Sequence, residues 1–136
     1  MLKLLFVFIC SILILNACNP ASLSEQIIGK EWQVTSLIGK TLNPNDMKNG
    51  LPFLNFSENG KLFGSTGCNS FTGVFKLDGA KLSLNPEGMT KMMCPGNTEQ
   101  DFLDAINQVT NVKMDGNKLN LLNRSNTVMS LKPKTK

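Results

Sequence analysis

The sequence predicts an α+β domain: an antiparallel β-sheet curled into a partly closed barrel, with one packed α-helix at about residues 98–110. Two observations carry this expectation. Short apolar–polar alternations recur along the chain, separated by Asn-Gly and Asp-Gly pairs of the kind that close hairpins. One stretch switches to helical spacing, with Phe102, Ile106 and Val109 at i, i+4 and i+7 and Ala105 beside them.

The elements follow in order. Residues 26–40 alternate after a polar entry, with Trp32, Val34 and Ser36 on one face and Gln33, Thr35 and Leu37 on the other. This strand is expected to end near Gly39-Lys40. Residues 41–51, with Asn43-Pro44-Asn45-Asp46 and Asn49-Gly50, are expected as loop. Residues 52–56 and 61–65 form a hairpin about Glu58-Asn59-Gly60. Residues 68–77 place Phe71, Gly73, Phe75 and Leu77 on one face, and Asp78-Gly79 turns the chain into an alternating run at 81–84. Residues 88–93 are expected as a further strand, followed by a turn at Pro95-Gly96. The helix has Thr98 as its expected N-cap, with Glu99 and Asp101 placing negative charge at its positive end. Strands at 112–114, 118–122 and 127–132 complete the order, the first two joined at Asp115-Gly116-Asn117.

The first eighteen residues have a different character. Lys3 supplies a basic start, and Leu4 opens an apolar run that reaches Leu15 with Ser11 as its single interruption. That is the pattern of a secretory signal, and it is short beside the roughly 20 apolar residues of a spanning helix. Leu15-Asn16-Ala17-Cys18 resembles the lipobox of bacterial lipoprotein signals: an aliphatic residue, a small residue, then the acceptor cysteine. The resemblance implies cleavage after residue 17 and a lipid on Cys18. Two or three acyl chains make a lasting anchor, since each buried CH₂ contributes about 0.8 kcal/mol. Residues 18–25 are then a lipidated tether, 26–132 the folded domain and 133–136 a tail. An aspartate after the acceptor marks inner-membrane retention in some bacteria. Asn19 stands there instead, which favours the outer membrane within the cell envelope.

Removing residues 1–17 from 136 leaves 119, enough for one domain with one core. The net charge of +4 falls to +3 without Lys3. Lys132, Lys134 and Lys136 are read as a solvated tail, with contact to a membrane surface as the functional alternative. Arg124 is the sole arginine and no basic run interleaves with aromatics, so no nucleic-acid partner is expected. The chain has no His and no Tyr, which removes the commonest general base and metal ligand. No catalytic motif stands out, and no enzymatic activity, catalytic residue or cofactor is expected.

Three segments carry a family resemblance. Gly64-Ser65-Thr66-Gly67-Cys68-Asn69-Ser70-Phe71-Thr72-Gly73-Val74-Phe75 matches the pattern G-x-x-G-C-N-x-x-x-G-x-[aromatic]. Downstream, Thr90, Met92, Cys94 and Pro95 match T-x-M-x-C-P, and Glu99 with Phe102 matches the E-x-x-F start of a helix. Trp32, Leu37 and Gly39 add an opening that is also similar. Together these resemble the META domain, the family of the bacterial heat-inducible protein HslJ, over roughly residues 26–132. The resemblance implies a small antiparallel sheet with a packed helix, often in envelope lipoproteins, and roles in stress tolerance, secretion and motility without a defined reaction.

Cys10 leaves with the signal and Cys18 is used for lipid, so Cys68 and Cys94 remain as an even pair in an oxidising compartment. A disulfide between them is the first reading. Two buried reduced thiols are the bland alternative. The sharper alternative is a soft-metal or redox protein in which Met89, Met92 and Met93 join the cysteines as Cu(I) ligands, although methionines more often fill core gaps. Asn69 is either a turn-former bonding its local backbone or a polar group of a ligand pocket, the turn being the simpler reading. Gly64, Gly67 and Gly73 are expected at a turn, a bulge or a close backbone approach. Phe53, Phe56 and Phe63 are candidates for an apolar cleft if they do not all face inward. The reading as a whole is a noncatalytic, membrane-anchored module that binds an envelope protein or an apolar segment.

Overall fold

The computed structural model describes residues 20–135; the expected signal segment, Cys18 and Lys136 lie outside them. Nine strands form one antiparallel sheet: β1 (Glu31–Leu37), β2 (Lys40–Thr41), β3 (Phe53–Phe56), β4 (Lys61–Ser65), β5 (Ser70–Asp78), β6 (Lys81–Met89), β7 (Asn111–Asp115), β8 (Lys118–Asn123) and β9 (Asn126–Pro133). β1 pairs with β3 on one side and with β9 on the other, so the sheet returns on itself as a ring. The ring is weakest between β6 and β7, where the paired register is Lys81 with Asn111. Helix α2 (Thr98–Gln108) connects these two strands. It buries Phe102, Ala105 and Ile106 against the inner face, with the Phe102 ring 5.6 Å from that of Phe71.

The expected fold class holds, and its physical cause is the alternation already described. Leu54 and Phe56 on β3, Leu62 on β4, Phe71 and Phe75 on β5, and Leu82 and Leu84 on β6 all point inward and are buried. A ring of strands rolled about such a face leaves an end that side chains from one helix can fill. Each buried Leu or Phe contributes about 1.5–3 kcal/mol of transfer free energy, so the closed inner face is the main source of stability.

Curling needs bends, and three register shifts supply them, in the β1–β9, β5–β6 and β8–β9 pairings. The first corrects a sequence expectation. An extra residue at Thr35 turns the strand over, so Leu37 joins Trp32 and Val34 in the core while Ser36 does not. The third explains why Val128 and Met129 are both buried although they are neighbours. On β6 the N–H of Leu82 donates to Thr110 at the seam. Pro86, four residues on, carries no N–H on that same unpaired edge, which blunts it against foreign strands.

Several boundaries differ from expectation. Helix α1 (Leu23–Ile27) occupies the end of the expected tether, with Ser22 and Glu25 forming a reciprocal cap and Ile27 fully buried. Its last turn accepts the indole N–H of Trp32 at the Ile27 carbonyl, 3.0 Å away. The expected strand at 88–93 is instead the end of β6, after which residues 90–97 form an irregular loop. α2 ends at Gln108, and its N-cap is Asn97, not Thr98, with no side-chain capping bond. The tail is partly tied down. Pro133 pairs with Trp32, the Lys134 N–H donates to Glu31, and the Lys134 ammonium lies 5.0 Å above the Phe53 ring. Among the described residues no helix is long and apolar enough to cross a membrane.

Candidate functional site

The motif residues converge where the β4–β5 connection, the loop at 90–97 and the start of α2 meet. Gly64 and Gly73 prepare the approach. A Cβ on Gly64 would stand 2.4 Å from the Phe71 ring, and one on Gly73 would stand 2.2 Å from the Asn85 carbonyl oxygen. Only glycine lets the neighbouring strand and ring come that close. Gly67 turns the chain at φ +89°, a left-handed conformation that favours glycine. The turn aims Cys68 and Asn69 toward the loop.

Asn69 is 2% exposed and is the hub of the cluster. Its Oδ1 accepts the Met92 N–H at 2.7 Å and the Thr90 hydroxyl at 3.0 Å. Its Nδ2 donates to the Met92 carbonyl at 3.0 Å and to the Glu99 carboxylate at 2.9 Å. Nδ2 also lies 3.2 Å from the Cys94 sulfur. The side chain therefore bonds backbone 23 residues away, which is neither of the two roles expected for it. Thr66, at the turn, accepts the Asn69 N–H and donates toward Glu99. Thr90 binds the same hub from the loop side and accepts the Ser70 N–H at 3.0 Å. Asn49, far off in sequence, donates to the Cys68 carbonyl at 2.9 Å.

Cys68 and Cys94 are joined by a disulfide, with their Cα atoms 5.9 Å apart. While it is formed, the bond withholds both thiols that the Cu(I) reading required. Met93 is 93% exposed, Met92 is half exposed, and Met89 leans on the core. Met92 serves the cluster through its backbone. Phe56 is buried in the core and Phe63 is exposed on the outer face, so the three phenylalanines do not share one cleft.

Sequence reasoning gave no bonding role to three members of this cluster: Asn49, read only as loop, Thr66 and Glu99. Thr66 occupied a variable place in the motif. Glu99 was assigned to the helix dipole, yet it stands in the first turn of α2 and also receives Asn69 and Thr66. Its signal was the spacing of E-x-x-F, which puts Phe102 inward and Glu99 one turn earlier toward the β4–β5 connection. Chemically the cluster is a latch. Every buried side-chain nitrogen or oxygen among the described residues has a partner.

The latch residues lie inside a segment with a recognisable family pattern. The sequence profile of the META domain matches residues 25–136. The chain belongs to the META domain family. Three solved structures share the fold seen here. One, known by NMR, is 23% identical with a TM-score of 0.64, covering 82% of this chain and 95% of that one. A second NMR structure, of a protein from Burkholderia xenovorans, is 20% identical with a TM-score of 0.63, covering 88% and 94%. A DUF4847 family protein from Bacteroides vulgatus is 18% identical with a TM-score of 0.57, covering 85% and 98%. At such identities the likeness is one of fold. No curated protein matches the chain.

A small cavity of the META domain adjoins the latch at Thr66, Cys68, Cys94 and Glu99, and broader surface depressions lie elsewhere on the sheet. A shallow groove of about 390 Å³ lies at the β6–β7 seam, between Leu82 and Val109 with Lys76 and Lys81 at its rim. A second, of about 320 Å³, lies over Thr72, Gly88 and Met89.

Proposed function

We propose that this META domain protein is a lipid-anchored protein of the bacterial envelope, acting noncatalytically as a binding or stress-related accessory module. The observation that carries the reading is Leu15-Asn16-Ala17-Cys18, a lipobox-like ending to an apolar run, set just ahead of a disulfide-bonded domain. Disulfides persist in oxidising compartments, so the pair at Cys68 and Cys94 supports export. Pro20, Ala21 and Ser22 are exposed ahead of α1, as a tether from Cys18 requires.

A noncatalytic role is supported by where the polar side chains go. Asn69, Thr66, Thr90 and Glu99 spend their hydrogen bonds on one another and on the Met92 backbone. The anchor contributes by confinement: a domain held at one membrane face meets envelope proteins or apolar segments there at raised effective concentration. The outer membrane is the favoured site because Asn19 follows Cys18.

Intact-mass spectrometry of the protein extracted from its native membrane tests the reading. The expected species begins at Cys18, carries acyl chains and is two hydrogens lighter than the dithiol form. An uncleaved start or an unmodified Cys18 would sink the proposal.

A further inference from the structure

We infer that Cys68, Cys94 and Glu99 form a redox-gated site for a zinc-class divalent cation, closed while the sulfurs are bonded and open when they are reduced. The inference concerns the domain itself and stands whether or not Cys18 is lipidated. Both sulfurs and a Glu99 carboxylate oxygen lie within 4.8 Å of one another. Cys68 is buried, and Cys94 and Glu99 are half-buried, so the group is enclosed yet reachable.

Two further observations bear on a cation. Glu99 is half-buried and receives only neutral donors, Asn69 and Thr66, with no cationic partner within ion-pair distance among the described residues. Lys48 lines the adjoining cavity without closing such a pair. That cavity measures about 20 Å³ and touches Cys68, Cys94, Thr98 and Glu99. It has room for one water molecule, which needs roughly 10–15 Å³.

The donor set then matches the cation. Two thiolates, one carboxylate and a water make the four-coordinate shell that zinc takes when one position stays open. Zinc–sulfur bonds of about 2.3 Å place two thiolates about 3.8 Å apart on a tetrahedral edge, a short separation for sulfurs that start bonded. Asn69 holds the frame while this happens. It pins the Met92 backbone on one side and Glu99 on the other, and its Nδ2 lies 3.2 Å from the Cys94 sulfur.

The gating step balances as thiol–disulfide exchange. A dithiol reductant gives two electrons and two protons, the S–S bond breaks, two thiols form and the reductant leaves as its own disulfide. The cation then displaces both thiol protons to solvent and bonds two sulfurs and one Glu99 oxygen. Reoxidation expels it.

The test uses purified mature protein in detergent, reduced with a phosphine and titrated with Co(II), then Zn(II). The reduced protein is expected to take up one Co(II), with sulfur-to-cobalt charge transfer and tetrahedral d–d bands, and to exchange it for Zn(II). The oxidised protein and C68S/C94S are expected to show no such band. E99Q should keep charge transfer but bind on the order of tenfold or more weakly. Trp32 emission reports folding throughout. No stoichiometric uptake by reduced protein would overturn the inference, as would E99Q binding as tightly as wild type. Uptake of Cu(I) alone would overturn the zinc-class assignment. So would a reduced protein that loses its buried-tryptophan emission and does not regain it with zinc.

Discussion

Replacing Asn69 by alanine removes the hub of the latch, and its cost follows from the partners left behind. The Met92 N–H loses its acceptor at 2.7 Å, the Thr90 hydroxyl loses one at 3.0 Å, and Glu99 loses its nearest donor at 2.9 Å. An unsatisfied buried polar group costs about 1–3 kcal/mol, and water can relieve the half-buried ones. A net loss of about 2–4 kcal/mol is therefore expected for N69A. On a domain of this size that lowers Tm by about 8–16 °C. Chemical denaturation followed by tryptophan fluorescence reads it directly, because Trp32 is the single tryptophan and is 1% exposed. Asn69→Asp adds a sharper check. It sets one carboxylate against Glu99, and E99Q should relieve that repulsion by supplying an amide donor. The pair N69D/E99Q is expected to be non-additive by about 1–2 kcal/mol. An N69A loss under about 0.5 kcal/mol, the scale of an ordinary surface change, would show that the network does not hold the loop.

Two other perturbations probe the frame around the latch. Gly73→Ala drives a Cβ to 2.2 Å from the Asn85 carbonyl oxygen, so β5 and β6 must part at their bulge. A loss of about 1–3 kcal/mol or more is expected in the denaturation midpoint, and a neutral result would mean that the bulge relaxes freely. Cys68 and Cys94 are separated by 26 residues, so C68S/C94S should cost about 3.5 kcal/mol from loop entropy. Calorimetry showing a loss below about 1 kcal/mol would mean that Asn69 alone keeps the loop ordered.

Much of the architecture was legible because it rests on local rules. Phe71, Gly73, Phe75 and Leu77 alternate as a strand must when one face is covered, and the structure places all four on the inner side of β5. Phe102 and Ile106 recur at helical spacing and are buried on α2. The errors fall where a remote partner overrides the local pattern. Ser36 and Leu37 exchange faces because β9 meets β1 through a bulge, a feature that the β1 residues alone do not encode. The strand expected at 88–93 is lost because the Met92 backbone is claimed by Asn69. α1 escaped notice because five residues are too few to show a helical period, and its burial depends on Trp32 and β3.

The sequence by itself determined the fold class, the hairpin order, the single late helix and the motif that carries the family. These follow from side-chain period, turn chemistry and residue identity, which act over a few positions at a time. The tertiary structure decided how the sheet closes, through β1 pairing with both β3 and β9. It also decided what the motif does. Asn69, Met92, Cys94 and Glu99 are separated by up to 30 residues, and only the folded ring brings them within hydrogen-bond reach. Spacing along a chain carries no record of distance across it, so that cluster becomes visible only once the strands have closed.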